Sequence, residues 1–294
     1  MNEIAINNAP ERAGSDDAEL LREADALLRL RYRQDDDRPK PRHWNAVLSS
    51  LLSHRSVRAY LPTPVPSDIL ESAIAAAQSA STSLNLQAWS VVAIEDRQQK
   101  KRVCVGVADQ TWIHEAPLYL IWLADLSRHQ RIAEATGADR GSPDPNNLDP
   151  ILTGVADTAL AAQNAAVAFE SFGLGLVYIG ALRLYQRELR AALGLPRHVL
   201  PVFGMCVGYP DADRETGIKP RLPLSAVLHR ERYDTAPQLD AVWRYDRKLH
   251  AYNREQGREA PTWSEYSLYR LDRMHESQDR EDYNQAIRDL NLSR

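Results

Sequence analysis

The stretch ILTGVADTALAAQNAAVAFESFGLGLVYIGAL, residues 151–182, decides the fold class. Its first part predicts a long helix that ends at Gly173, because alanines recur on the faces that must pack closely. GLVYIGAL then predicts a strand. The glycines therefore follow a helix and precede a strand, the reverse of the order in a dinucleotide-binding fingerprint. We exclude a Rossmann site here and expect an α+β or mixed α/β arrangement.

The other elements alternate irregularly around this stretch. Further strands are predicted at AWSVVAIED (88–96), APLYLIWLAD (116–125) and HVLPVFGMCVGYP (198–210), and further helices at 44–52, 66–80, 96–108 and 185–194. APLYLIWLAD is too continuously apolar for an edge strand. The pattern favours an α+β fold whose central mixed sheet is flanked by helices.

The two ends of the chain differ from this central part. Residues 1–15 are small, polar and charged, which predicts disorder. DDAELLREADALLRLRYR (16–33) predicts one amphipathic helix with Asp16 as its cap, and a charged linker follows it. We predict an N-terminal extension (1–43), a core (44–237) and a charged helical arm (238–294) that contacts a partner subunit. The polar residues 127–149 predict a loop.

Composition excludes several classes of protein. The chain has 294 residues, 44% of them hydrophobic and 26% charged, and a net charge of −4, so it lacks the basic footprint of a nucleic-acid binder. No apolar run is long enough for a membrane span, and no secretory signal precedes the core. Cys104 and Cys206 are predicted to be buried structural thiols, so we expect a cytoplasmic protein. No metal-binding motif is present.

HRSVRAY, residues 54–60, is the first candidate binding segment. One interpretation is a charged helix end, whose arginines complement the helix dipole. The other is a clamp for phosphate and a heterocycle, since arginine offers a rigid fork of donors. In an extended segment, His54, Ser56 and Arg58 would share one face and Arg55 and Val57 the other.

Three other segments offer polar groups. Lys219 and Arg221 in GIKPRLP form a basic pair or simply a solvated loop. SASTSLNLQAW provides short donors around Ser81, Thr82 and Ser83, of which a capped turn explains one or two. In YIGA (178–181), Gly180 either lets a ligand approach the backbone or marks a bulge.

In this order and spacing, HRSVRAY, SASTSLNLQAWSVVAI, GVADTALAAQNAAVAFESFGLGLVYIGALR, HVLPVFGMCVGYP and IKPRLP resemble the nitroreductase superfamily, in its oxygen-insensitive, NADPH-preferring branch. The resemblance spans roughly residues 44–270. It implies an intertwined α+β homodimer with a mainly antiparallel sheet, and two FMN sites at the dimer interface.

The resemblance also assigns FMN-binding residues. These are His54, Arg55, Ser56 and Arg58 in the first segment, Ser81, Thr82 and Ser83 reaching from the partner subunit, Gln110 at the pyrimidine edge, Tyr178, Ile179, Gly180 and Ala181 along the flavin, and Lys219 and Arg221 at the phosphate. Arg58 and the Gly180 N–H are expected to tune the flavin. Arg254 and Arg258 are the available arginines for the NADPH 2′-phosphate, although they do not form the family's tight pair.

The implied activity is a two-electron transfer from NADPH through FMN to nitroaromatics, quinones or free flavins in a ping-pong cycle, with no side-chain nucleophile. Two alternatives remain: the same fold reducing another acceptor such as an azo dye, chromate or a dedicated metabolite, or a flavin-binding protein without turnover. The turn STSLNLQ is less serine-rich than in the family, and an aromatic residue near Asn85 is missing. The acceptor preference can therefore differ.

Overall fold

The computed structural model describes residues 15–33, 37–40, 42–104, 110–138, 147–214, 216–276 and 281–291. The disorder predicted for residues 1–15 falls, apart from Ser15, outside these ranges. The end of the predicted helix 96–108 also lies outside them.

Eleven helices and four strands occupy the described residues. The helices are α1 Ser15–Tyr32, α2 Ala46–Ser53, α3 Ser67–Gln78, α4 Arg97–Val103, α5 Trp112–Glu115, α6 Ser127–Thr136, α7 Asp149–Ser171, α8 Gln186–Leu193, α9 Gln238–Glu255, α10 Trp263–Glu276 and α11 Glu281–Asn291. The strands are β1 Trp89–Ile94, β2 Leu118–Asp125, β3 Gly175–Ile179 and β4 Val199–Gly208.

The four strands form one sheet in the order β1-β2-β4-β3. All three strand pairs are antiparallel. Among the described residues, the one parallel pairing is an isolated bridge between Ser56 and Leu176. The predicted α+β fold with a mainly antiparallel sheet is therefore confirmed. As predicted, β2 is central, and every one of its residues is buried.

Alternate residues of the strands face two buried layers. On one face, Val57, Tyr119, Ile121, Ile179 and Cys206 belong to a group that we call the Val57 cluster. On the other face, α3 and α7 cover the Phe169 cluster, which includes Leu118, Leu120, Trp122, Leu176 and Met205. The alanines at 161, 162, 165 and 166 are buried there, as their small size predicts.

The chain divides into two compact units. The first contains the described residues up to His54 together with Ile218–Leu268, and the second contains Arg55–Gly217 and residues from Tyr269 onward. The predicted boundaries after residues 43 and 237 remain a prediction. In the second unit, the side chain of Ala286 in α11 is buried against Ala124 and Leu200 of the same chain.

One predicted loop is wrong. Residues 127–136 form α6, whereas we expected an irregular excursion over 127–149. SRHQRIAEAT is polar, but its glutamine, arginine, alanine and glutamate residues favour a helix. The Asp125 carboxylate accepts the Ser127 N–H at 2.9 Å, and Gly137 with a φ of 65° ends the helix. Residues 139–146 lie outside the described chain.

Two other features concern the predicted class. No helix in the described residues combines the length and apolarity needed to cross a membrane. Cys104 and Cys206 are free and buried, as predicted. Burial raises the pKa of the Cys104 thiol to about 12 and raises that of Cys206 further. Both sulfurs therefore stay protonated and behave as small apolar groups.

Candidate functional site

HRSVRAY is an extended segment and not a helix end. Helix α2 stops at Ser53, and His54 leaves it with a ψ of 131°. The Val57 N–H donates to the Leu176 carbonyl at 2.9 Å, which places the segment beside β3. The Thr216 hydroxyl donates to the Ser56 carbonyl at 3.0 Å. The segment therefore has the extended conformation that alternating faces require, and its role as a ligand clamp remains a prediction.

One apolar group holds three of the predicted segments together. The Val57 cluster contains Val57 and Tyr60 from HRSVRAY, Ile113 from α5 and Ile179 from β3, and α5 begins two residues after Gln110. Tyr60 also donates its hydroxyl to the Val57 carbonyl at 2.6 Å. Because these side chains share one core, the polar groups beside them in sequence are brought to the same part of the second unit.

The exposed Arg58 lies above the ring of Trp112, with 5.8 Å between its guanidinium carbon and the ring centroid. This contact fixes a cation near the start of α5. A cavity of about 100 Å³ adjoins it, lined by Arg55, Val57, Arg58, Pro210, Asp211, Ala212, Arg214 and Thr216.

Charge in this cavity is mostly positive. Three arginines line it, whereas Asp211 is its one acid. Asp211 accepts from Arg214 at 3.0 Å, which lowers the pKa of its carboxyl. Arg214 also contacts Glu115 at 2.9 Å, and these two acids raise the pKa of its guanidinium. The cavity also offers an anionic ligand the guanidinium groups of Arg55 and Arg58.

The YIGA segment divides between two surroundings. Tyr178 points to the α7 side, where its hydroxyl lies 3.4 Å from Gln163 Oε1 and its ring meets Phe203 edge to face at 5.1 Å. Burial raises the pKa of this phenol. Ile179 points the opposite way, into the Val57 cluster. The Tyr178 side chain therefore belongs mainly to the core, and its backbone is what remains for a ligand.

Gly180 directly follows β3 and is exposed. A Cβ built on Gly180 would meet only the Arg183 Nη2 atom, at 3.5 Å. Ala181 begins a short 3₁₀ turn and packs on the Val57 cluster. The surface above Gly180 is consequently open enough for a flat ligand to approach the backbone.

The basic loop lies in the first compact unit, which also contains His54. Lys219 and Arg221 are exposed, and Arg221 Nη1 lies 3.3 Å from the carbonyls of Lys219 and Pro220. Arg31 of α1 donates to the carbonyls of both Lys219 and His54, at 2.9 and 2.6 Å. Two of the predicted phosphate-binding segments are thereby held by one side chain.

The serine turn is held elsewhere. Asp157, which is fully buried in α7, accepts the N–H groups of Ser83 and Ala88 at 2.8 and 3.1 Å. Ser81 is exposed, and Leu84 beside it is 91% exposed with a φ of 51°. The turn precedes β1, whereas YIGA comprises the last two residues of β3 and the two that follow, at the other edge of the sheet. Three strand spacings separate these edges, about 14 Å.

Arg254 and Arg258 flank a turn at the end of α9. Both are exposed, and Gly257 between them has a φ of 66°. The Arg258 N–H donates to the Asn253 carbonyl at 2.8 Å, which closes the turn. Their assignment to the NADPH phosphate remains a prediction.

Three structural contributors escaped the sequence reasoning: Arg31, Asp157 and Thr216. The sequence offered an indication for Asp157, because an acid on the alanine-rich face of a long helix must be paired if it is buried. The sequence offered no such indication for Arg31 and Thr216, since each donates to backbone carbonyls that are distant in sequence. The described residues contain no group of three or more histidine, cysteine, aspartate or glutamate side chains able to hold a metal ion.

Models of known protein families match the part of the chain that contains these residues. The model of the nitroreductase family matches residues 51–209, and that of the nitroreductase family C-terminal domain matches residues 219–294. A Bacillus subtilis protein named FMN reductase [NAD(P)H] is 38% identical over 224 residues, which is 75% of this chain and 89% of the relative. A protein of Pseudomonas sp. named Cr(VI) reductase is 35% identical over 220 residues, 74% of this chain and 88% of the relative.

A solved structure agrees as well. The structure of Bacillus megaterium NfrA2 superimposes with a TM-score of 0.76 at 32% identity, and covers 85% of this chain and 98% of that chain. The family models together match well over half of the present sequence and include HRSVRAY, the serine turn, YIGA and the KPR loop. The chain belongs to the nitroreductase family.

Proposed function

We propose that this protein is an NADPH-dependent FMN oxidoreductase that passes two electrons to nitroaromatic, quinone or flavin acceptors in a ping-pong cycle. The Val57 cluster carries this proposal, because it gathers HRSVRAY, the residues after Gln110 and YIGA in one part of the molecule. The Bacillus subtilis relative, whose name is FMN reductase [NAD(P)H], points to the same cofactor and donor.

The donor set fits such a cofactor. FMN combines an anionic phosphate with a flat ring that becomes more negative on reduction, and it supplies the redox chemistry when bound. The arginine-lined cavity suits an anion, and the open surface at Gly180 suits a flat ring. No side-chain nucleophile is needed, and Cys104 and Cys206 are too deeply buried to act as one.

Each segment then has a role. His54, Arg55, Lys219 and Arg221 hold the phosphate, for which guanidinium and ammonium groups are suited. Ser56 and Gln110 hydrogen-bond the polar edge of the cofactor. Arg58 places a fixed cation where negative charge develops on reduction, a preorganised arrangement that needs no rearrangement during the reaction. The Gly180 N–H orients the reacting edge of the ring.

The active form is a homodimer in which the serine turn of one subunit completes the site of the other. The turn and YIGA lie at opposite edges of the sheet, which favours a contribution in trans. Leu84 on this turn is 91% exposed. Helix α10 also exposes Tyr266, Leu268 and Leu271, each at least half accessible, and large exposed apolar side chains of this kind are typical of a covered interface.

We expect a broad specificity for the electron acceptor, because a flat ring face accommodates many acceptors. The relative named Cr(VI) reductase makes chromate a second candidate. Two free buried thiols suit a reducing compartment, so we place the activity in the cytoplasm.

The first experiment measures NADPH and NADH oxidation by the FMN-loaded protein with menadione, nitrofurazone, FMN and chromate. We expect NADPH to bleach the flavin absorbance before any acceptor is added, and an acceptor to restore it. A flavin that NADPH leaves oxidised would overturn the reductase assignment. Protein that binds no FMN would overturn the cofactor assignment.

The second experiment tests the contribution in trans with mixed dimers. One chain carries Ser81→Ala, Thr82→Ala and Ser83→Ala, and the other carries Arg55→Ala and Ser56→Ala. Each homodimer has two defective sites. If the turn acts in trans, a mixed dimer has one intact site and regains about half the activity of the wild type. If it acts in cis, the mixed dimer stays inactive.

A further inference from the structure

The first compact unit contains a contact that the family resemblance does not assign. Helix α1 belongs to the N-terminal extension, which lies before the residues matched by the family models. Arg31 near its end is only 7% exposed. A buried guanidinium needs acceptors for its N–H groups, so the identity of those acceptors indicates its structural role.

Three backbone carbonyls accept hydrogen bonds from Arg31, and two of them, those of Lys219 and His54, belong to predicted phosphate-binding segments. Arg31 Nη1 donates to the Lys219 carbonyl at 2.9 Å. Its Nη2 donates to the carbonyls of Leu52 and His54, at 2.8 and 2.6 Å. The planar fork of the guanidinium thus bridges the exit of α2 and the basic loop.

The backbone of α1 adds a second link to the same loop. The Arg221 N–H donates to the Arg31 carbonyl at 2.8 Å. Residue 31 therefore contacts the loop through its side chain at Lys219 and through its backbone at Arg221. The two basic residues of the loop are both fixed at the main chain by one residue of the extension.

Asp37 anchors the far end of the loop. Its Oδ1 accepts the Ser225 N–H at 3.1 Å, and its Oδ2 accepts the Ser225 hydroxyl. Arg244 of α9 donates to the same carboxylate at 3.0 Å. The loop from Lys219 to Ser225 is thus held by the extension at both ends.

We propose that the N-terminal extension is part of the cofactor site and that Arg31 is a positioning residue, which fixes the main chains of His54 and Lys219 so that their side chains converge on the FMN phosphate. This inference rests on the proposed function. Arg31 acts through these main chains and does not itself touch the ligand. A preorganised loop avoids the cost of ordering it when the ligand binds.

The test separates phosphate binding from general stability. Apo-protein is titrated with FMN and with riboflavin, which lacks the phosphate, and flavin fluorescence gives both dissociation constants. The variants are Arg31→Met and Arg31→Lys, with Arg22→Met as the matched control, since Arg22 is an exposed arginine of the same helix. Inorganic phosphate is used as a competitor of FMN.

For Arg31→Met we expect the FMN dissociation constant to rise about tenfold while that of riboflavin stays within about twofold. Arg31→Lys keeps the charge but not the fork, and we expect an intermediate loss. Phosphate should compete less well with FMN in both variants. Arg22→Met should match the wild type. If Arg31→Met does not fold, Arg31→Lys decides the question by the same ratio.

Two results would overturn the inference. Equal weakening of FMN and riboflavin would make Arg31 a general structural residue, and unchanged constants would remove it from the site. A wild-type protein that binds FMN no better than riboflavin would contradict the proposed phosphate site itself, which is a failure of the proposed function and is seen before any variant is compared.

Discussion

Gly175 and Val57 approach so closely that no side chain fits between them: a Cβ built on Gly175 would lie 2.5 Å from Val57 Cγ2. The next residue, Leu176, accepts the Val57 N–H at 2.9 Å. The missing side chain of Gly175 therefore permits HRSVRAY to lie against β3, and this packing places the first candidate binding segment beside the strand that Gly180 directly follows.

Gly175→Ala should destabilise the fold. The added methyl group would overlap Val57 and would also meet Pro210 at 3.0 Å, so we expect a loss of about 1–3 kcal/mol in the free energy of unfolding, the usual range for an overpacked core. Urea denaturation measures this loss. In a Val57→Ala background the same substitution should cost less, because the contact with Val57 Cγ2 is removed while that with Val57 Cβ at 2.7 Å remains. An equal cost in both backgrounds would contradict the contact.

Gly180→Ala provides the opposite case. Its Cβ would have one neighbour, Arg183 Nη2 at 3.5 Å, and the φ of −78° suits any residue. We expect stability within about 0.5 kcal/mol of the wild type. In contrast, the reduction of bound flavin by NADPH should slow about tenfold or more, since small displacements of the reacting groups are costly. Stopped-flow absorbance measures this rate, and an unchanged rate would remove Gly180 from its proposed role.

Much of this arrangement could be predicted from local sequence. APLYLIWLAD predicted a central strand because its side chains are apolar almost without interruption, and β2 is buried throughout. The alanine-rich stretch predicted α7 because small residues permit close helix packing. These patterns depend on neighbours in sequence, and the structure preserves them.

Other parts of the fold and the site depend on contacts between residues that are distant in sequence. Arg31 bonds to Lys219, a separation of 188 residues, and no local pattern marks it as buried. The composition of α6 did not indicate a helix because its residues are polar, although the Asp125 carboxylate accepts the N–H of Ser127, the first residue of the helix. The serine turn was recognised by composition, but only the structure shows that Asp157 holds it.

Arg58→Ala should make the reduction potential of bound FMN more negative. Without this cation the negative charge that develops on reduction loses stabilisation, and a loss of 1.4 kcal/mol corresponds to about 30 mV for a two-electron couple. Arg58→Lys should recover part of the shift. The exposed Arg102 of α4 provides a matched control as Arg102→Ala. Potentiometric titration at saturating FMN checks this, and a potential equal to that of the wild type would separate Arg58 from the flavin.

Asp125 provides a prediction for pH. Its carboxylate accepts from the Ser90 hydroxyl at 2.6 Å and from the Ser127 hydroxyl and N–H at 2.7 and 2.9 Å, and Arg128 lies 3.5 Å away. Burial alone raises the pKa of this carboxyl, but these hydrogen bonds and the arginine outweigh it and lower the pKa below its ordinary value.

A lowered pKa in the folded state means that the charged carboxylate stabilises the fold above the unfolded-state pKa of about 4, and that this stability is lost as pH falls through the folded-state pKa. Asp125→Asn should therefore cost about 1–3 kcal/mol at pH 7, where hydrogen bonds to the carboxylate are lost, and progressively less as pH falls below about 4. Urea unfolding of both proteins across this range measures the difference. A difference that stays constant between pH 7 and pH 3 would show that the Asp125 charge does not stabilise the junction of β2 and α6.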